Sequence, residues 1–243
     1  MTEVTTNMND RVMMGATRTT SDKKKKTIIG RPSRKDSKAL HQHILAVATQ
    51  HFLEYGFQGS SIERIAKEAQ VSKLTIYRQY QNKTNLFIAV IQAGVDQYSA
   101  TLTDWIETQA INENMLFDLG IYLAEQWLSV TNIRLSRMIV AEVQRIEELS
   151  NMIHQLMQQS RRPIEIFMEK LNQFPEYHIA NTKIAAIQFI QLCVSGHYFL
   201  LRDESHLPNT MQLEENIKAT VHLFLNGYRT RDTSEQVDNR LVN

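Results

Sequence analysis

Cysteine, proline and glycine are all scarce in this chain: its 243 residues include 1 Cys, 4 Pro and 8 Gly. A single thiol, Cys193, can close no disulfide within the chain and no CxxC metal site, which excludes disulfide scaffolds and zinc ribbons and points to a reducing compartment. No proline occurs between Pro32 and Pro163, so the breakers that a strand-and-turn fold requires are missing. An all-α fold is expected. Long apolar runs are lacking as well. The most apolar stretch, Ile184 to Leu201, is interrupted by Gln188, Gln191, Ser195 and His197, which is costly in lipid and ordinary in a helical bundle. The first twenty residues are polar and carry no apolar core of a secretory signal, and a cytoplasmic protein is expected. What is present, 42% apolar residues over this length, suffices for the core of one large domain or two small ones.

A net charge of one sign is also lacking, since 27 Lys and Arg stand against 26 Asp and Glu. The balance changes when it is divided along the chain. Residues 1–40 carry 10 basic and 4 acidic side chains and residues 41–95 carry 5 and 3, so the first 95 residues are +8 and the remaining 148 are −7. Such asymmetry points to a polyanion-facing N-terminal part and a separate acidic part. Within the basic end, Lys23–Lys26 is by itself what a solvated, self-repelling tail would show. The Gly30-Arg31-Pro32 tripeptide that follows is of a kind that can lie extended in a narrow minor groove, placing Arg31 there.

From Lys38 onward the apolar residues fall at helical spacing. Leu40, Ile44, Val47, Ala48 and Phe52 form one stripe of a helix ending near Gly56. Ser60 followed by Glu63 has capping-box spacing for a second helix with Ile62, Ile65, Ala66 and Ala69 on its buried face. Ser72 is placed to cap a third, running to about Tyr80, and Asn82 a fourth carrying Phe87, Val90, Ile91, Gly94 and Tyr98. A short helix, a tight turn and a second short helix behind a basic segment are the parts of a helix-turn-helix DNA reader, whose second helix enters the major groove.

The run FLEYGFQGSSIERIAKEAQVSKLTIYRQYQNKTNLFIAVI, Phe52 to Ile91, resembles the DNA-binding domain of TetR-family transcriptional regulators. The features that carry the resemblance are Gly56-Phe57, Ser61-Ile62, Ile65-Ala66, Val71-Ser72-Lys73, Thr75-Ile76-Tyr77, Tyr80, Lys83 and Leu86-Phe87, over roughly residues 37–97. The resemblance implies phosphate contacts by Ser61, Tyr77 and Lys83. Lys83 would also sit in the first turn of its helix, where free amides attract an anion. Base reading would fall to Ser72, Lys73, Thr75 and Gln79, with Lys suited to guanine, Gln to adenine and the Thr methyl to thymine. Tyr77 also suits a core aromatic with its hydroxyl at the rim, and for Leu74 packing against the turn is preferred over a thymine contact. Gln70 stands where the family has Gly, and a left-handed conformation there costs a non-Gly residue about 1–2 kcal/mol. Leu74 also replaces a Gly, and Gln79-Tyr80 replaces His-Phe, which bears on the operator sequence rather than on the fold.

From Asp96 to Tyr228 further helices are expected, with breaks near Asn112–Asn114, Thr131-Asn132, Arg161–Pro163, Gln173–Pro175 and Leu207–Asn209. The segment RLSRMIVAEVQRIEELSNMIHQLMQQSRRPIEIFMEKL, residues 134–171, resembles the C-terminal region of the AefR-like subgroup of the same family. The resemblance implies a homodimer built on the last two helices, about 178–202 and 211–228, with Ile187, Gln191, Val194, Tyr198, Ile217, Val221 and Phe224 at the interface. It also implies a small-molecule effector cavity, for which Tyr98, Trp105, Phe117, Tyr122, Trp127 and Met138, with Cys193 and His197 beside them, are the candidates. Each of these taken singly is more often core. The organisation is then a basic arm at 1–36, a helix-turn-helix domain at 37–97 with its motif at 61–80, an effector-binding and dimerisation domain at 98–230, and a frayed tail at 231–243.

The expected function is a repressor that binds a near-palindromic operator on double-stranded DNA as a dimer and is released by a small molecule. The alternative is an architectural DNA-binding protein relying on its basic tail, and specificity over random DNA separates the two. An enzyme is not expected. Cys193 and His197 share a helical face, but no third orienting group accompanies them. His41 and His43 point to different helix faces, and no metal or cofactor is expected.

Overall fold

The computed structural model describes residues 34–109, 111–194, 200 and 207–230. Arg31 and nearly all of the basic arm, His197 and Tyr198, and the tail at 231–243 lie outside the described residues. Nine α-helices occur among those described: α1 Arg34–Gly59, α2 Ile62–Glu68, α3 Lys73–Tyr80, α4 Lys83–Thr108, α5 Glu113–Trp127, α6 Val130–Glu142, α7 Glu147–Leu171, α8 Thr182–Val194 and α9 Thr210–Tyr228. The chain divides into two compact units between Val90 and Ile91, inside α4.

In the first unit α1 begins at Arg34, so the last residues of the expected arm are already helical, with Asp36 in the first turn where a carboxylate suits the helix dipole. Near its end Gly56 turns to φ 70°, ψ 174°. A Cβ there would meet nothing within 4 Å, so glycine is required by backbone conformation and not by space. The second helix is capped by Ser61, whose Oγ accepts from the Arg64 amide at 3.3 Å. Ser60, which the spacing to Glu63 favoured as cap, is instead buried and donates to the Gly56 carbonyl at 2.6 Å. With Ser61 in extended conformation, Ile62 opens the helix on its buried face beside Ile65 and Ala66.

The turn from α2 to α3 passes through Gln70 at φ 55°, the left-handed conformation for which a side chain costs about 1–2 kcal/mol. The Val71 amide closes this turn onto the Ala66 carbonyl at 3.0 Å. Ser72 then caps α3 by accepting from the Thr75 amide at 3.0 Å, and Asn82 does the same for α4 through the Asn85 amide at 2.8 Å. Under these helices lies a core of Ile44, Phe52, Ile65, Ile76, Leu86 and Phe87, all fully buried. Phe87 meets Phe52 edge-on at 5.0 Å and Phe57 at 5.2 Å, the offset geometry that aromatic quadrupoles favour.

In the second unit α7 packs on α8, while α5 lies against both α8 and α9. The close approach centres on Gly120 of α5. A Cβ there would fall 2.7 Å from Cγ2 of Ile217 and 3.5 Å from Sγ of Cys193, so the three helices fit only because that side chain is absent. Two expected breaks move. The interruption foreseen at Thr131-Asn132 occurs at Leu128-Ser129, where Ser129 caps α6 and the Asn132 side chain turns back to the Gln126 carbonyl at 2.6 Å. The one foreseen at Arg161–Pro163 does not occur, and α7 carries Pro163 inside it. Interior proline costs about 3 kcal/mol. The buried stripe of Leu149, Leu156, Ile164, Phe167, Met168 and Leu171 keeps to one helical face on both sides of it, at seven-residue spacing before and three- and four-residue spacing after, and burying such residues outweighs one lost bond. Among the described residues no helix is long and apolar enough to cross a membrane.

Candidate nucleic-acid interface

Helix α3 is anchored by one face and open on the other. Ile76 and Tyr80 are buried, whereas Ser72, Lys73, Leu74, Tyr77, Arg78 and Gln79 are exposed. The cap presents Ser72 and Thr75 together, their hydroxyl oxygens 2.8 Å apart. Lys73 pairs with Glu63 of α2 and lies 5.5 Å from the centre of the Tyr77 ring. That hydrogen bond holds the Glu63 carboxyl below its ordinary range and the Lys73 ammonium above its own. Both groups face water, so the pair serves to orient the ammonium more than to stabilise the fold. Leu74 was expected to pack on the turn. It is 66% exposed, and the turn is closed instead by backbone hydrogen bonds from Ala69, Gln70 and Val71.

Lys83 is engaged within its own unit. Its Nζ donates to the carbonyls of Phe57 at 2.7 Å, Ser60 at 3.0 Å and Gln58 at 3.4 Å, and it stands 4.6 Å from the centre of the Phe57 ring. The ammonium thus satisfies acceptors at and beyond the end of α1, where cations are favoured. Lys83→Ala is accordingly expected to lower the melting temperature, while the salt dependence of DNA binding stays unchanged. A drop of about one in the salt slope with no change in melting would instead assign Lys83 to a phosphate.

Sequence reasoning set His41 aside as no metal ligand and missed its place here. Its Nδ1 lies 2.9 Å from the Tyr80 hydroxyl and within hydrogen-bonding reach of the Gln79 side-chain amide, and its ring stacks on Tyr80 at 5.7 Å. Burial pushes the Tyr80 phenol up to about 12, so that hydroxyl stays protonated near neutral pH. The only signal in the sequence was helical phase, which sets His41 one turn before Ile44 and Leu45; it carries no information about a partner 38 residues away.

In the second unit the structure brings four of the cavity candidates together. Tyr98 and Tyr122 stack at 6.0 Å with their planes 14° apart, and Trp127 hydrogen-bonds Tyr98. Burial raises the Tyr98 phenol, with Tyr122 and Cys193 adding to the effect, and pushes Tyr122 up to about 12. Trp105, Phe117 and Met138 are half-buried, Phe117 with the Lys218 ammonium 5.9 Å from its ring centre. The interface residues fare differently. Ile217 is fully buried and Phe224, with Phe189 5.1 Å away, nearly so, inside the single chain. Val194 and Val221 are also buried, Ile187 is half-buried, and among the described interface residues only Gln191 is exposed. The apolar stripe of α9 therefore faces its own α5 and α8. Periodicity reports that a stripe is buried and not which chain buries it.

A capped, one-side-anchored helix following a left-handed turn defines the helix-turn-helix class of DNA-binding domains. Residues 44–90 match the family profile described as bacterial regulatory proteins, TetR family, and residues 114–230 match that of the AefR-like transcriptional repressor C-terminal domain. The chain belongs to the TetR family. It is 40% identical over 63 residues to an HTH-type transcriptional regulator of Staphylococcus aureus strain USA300, a match covering 26% of this chain and 34% of that one. The chain thus spans about a third of the curated relatives it matches. Its fold is that of a TetR-family transcriptional regulator from Mesorhizobium loti, with a TM-score of 0.70 at 21% identity over 82% of this chain and 100% of the other. The flavonoid-responsive regulator FrrA is similar at a TM-score of 0.60, with 23% identity over 80% and 100% of the two chains. FadR from Bacillus subtilis in complex with stearoyl-CoA is similar at 0.58, with 16% identity over 77% and 98%.

Proposed function

We propose that this protein is a cytoplasmic transcriptional repressor that binds a near-palindromic operator as a homodimer and leaves it when a small molecule occupies the second unit. The observation that carries the reading is α3, which buries Ile76 and Tyr80 and leaves Ser72, Lys73, Tyr77 and Gln79 exposed, polar groups suited to base edges and phosphates. Ser61 and Tyr77 contact the backbone, Ser72, Lys73, Thr75 and Gln79 read bases, and Leu74 is available to a thymine methyl. Arg31 and the basic arm add sequence-independent attraction, and the −7 balance after residue 95 keeps the acidic part away from DNA.

Dimerisation uses the exposed sides of α8 and α9, where Ile184 is 50% exposed, Met211 73% and Leu223 61%, beside Gln188 and Gln191. Pairing two heads sets their α3 helices about 34–36 Å apart, one turn of DNA. The effector lies against Tyr98, Tyr122 and Trp127, an aromatic setting that suits a largely apolar guest. The match to a profile described as a transcriptional repressor favours repression over activation.

Selection of bound fragments from random duplex DNA tests the reading. A single enriched near-palindrome is expected, bound about 10³–10⁷ more tightly than random sequence. Retention of all fragments equally would turn the assignment to the architectural alternative.

A further inference from the structure

The position of His41 gives it a role that resemblance to known regulators does not assign. It stands on α1, two helices before α3 in the chain, yet its Nδ1 meets the side-chain amide of Gln79 and the Tyr80 hydroxyl. Gln79 is exposed and His41 half-buried, so the contact joins a fixed part of the unit to a side chain that faces outward. The contact ties the end of the Gln79 side chain to a ring nitrogen whose donor or acceptor role follows its tautomer. The ring itself is held by stacking on Tyr80, which is 5% exposed.

A glutamine amide is ambiguous: rotation by half a turn exchanges its donor and its acceptor at nearly the same positions in space. Against a base edge that exchange is decisive. Adenine offers a donor at N6 beside an acceptor at N7, and an amide matches both only in one orientation. With Nδ1 as acceptor, His41 takes one hydrogen of Nε2 and leaves Oε1 and the second hydrogen facing outward; with Nδ1 protonated it would take Oε1 instead, so the ring tautomer and the amide orientation are tied to one another. We infer that His41 is a positioning residue for sequence recognition, which holds the Gln79 amide from α1 and so sets its choice of base. The inference rests on α3 as the base-reading helix.

The test uses the full chain and the duplex recovered by selection, with every base pair of one half-site replaced in turn. Gln79→Ala should lose about tenfold of discrimination at one base pair. His41→Phe keeps a ring on Tyr80 and removes the acceptor, and it should lose discrimination at that same base pair while other positions are unaffected. The double variant should resemble Gln79→Ala alone, and His41→Asn, which restores an acceptor, should recover part of the preference. Uniform weakening at all positions by His41→Phe, or losses that simply add in the double variant, would overturn the inference and leave the DNA-binding reading intact. Should His41→Phe fail to fold, the His41→Asn profile decides the matter: unchanged overall affinity with discrimination lost at a different base pair overturns it. Absence of any preferred duplex for the unaltered chain would remove the DNA-binding reading itself.

Discussion

Truncation of Phe87 to alanine is expected to destabilise the N-terminal unit by about 3–5 kcal/mol. The side chain is fully buried, at the start of α4, and is the ring that both Phe52 and Phe57 of α1 contact. Removing it deletes the transfer free energy of a large side chain and leaves a void beside Phe52 and Phe57 that a close-packed core fills only in part. Domains are commonly stable by only about 5–15 kcal/mol, so the loss takes a large part of the margin. Denaturant unfolding followed by a probe in the first unit should show a much lower midpoint, with DNA binding lost at temperatures the unaltered chain tolerates. An unchanged midpoint would mean that the aromatic cluster does not hold α1 to α4.

The second large effect concerns assembly. Leu223→Glu replaces an exposed apolar group by a charge, and in a two-fold interface the change occurs twice, setting like charges against each other. Light scattering at micromolar concentration should report a dimer for the unaltered chain and a monomer for this variant. Operator affinity should fall by about 10²–10⁴, the advantage that linked half-site binding confers. Ile217→Glu serves as the contrast: buried against Gly120 within one chain, it should unfold the second unit rather than separate two intact copies. A monomeric unaltered chain, or a Leu223→Glu dimer of full affinity, would remove α9 from the interface.

The parts that sequence made legible are those that local chemistry decides. Ser72 and Asn82 cap the helices foreseen for them, since a cap needs only its own next three residues. Even there two adjacent serines were ambiguous, and the backbone selected Ser61 while Ser60 served the preceding helix. Gln70 adopts the left-handed turn that its position demanded. The features that local spacing left open depend on distant partners. Pro163 is tolerated because its stripe is buried on both sides, Lys83 is drawn to carbonyls more than twenty residues earlier, and His41 acquires its meaning from α3. In α9 a clean apolar stripe concealed that its partner is the same chain.

Cys193, the one thiol of the chain, lies fully buried next to Gly120 where α5, α8 and α9 converge, and burial raises its pKa strongly. A protonated, inaccessible thiol is chemically silent toward alkylating reagents, so its rate of modification is a clock for the opening of that three-helix junction. The native chain therefore carries its own reporter, and slowing of that clock by a candidate small molecule would register occupancy of the second unit without any label or any DNA.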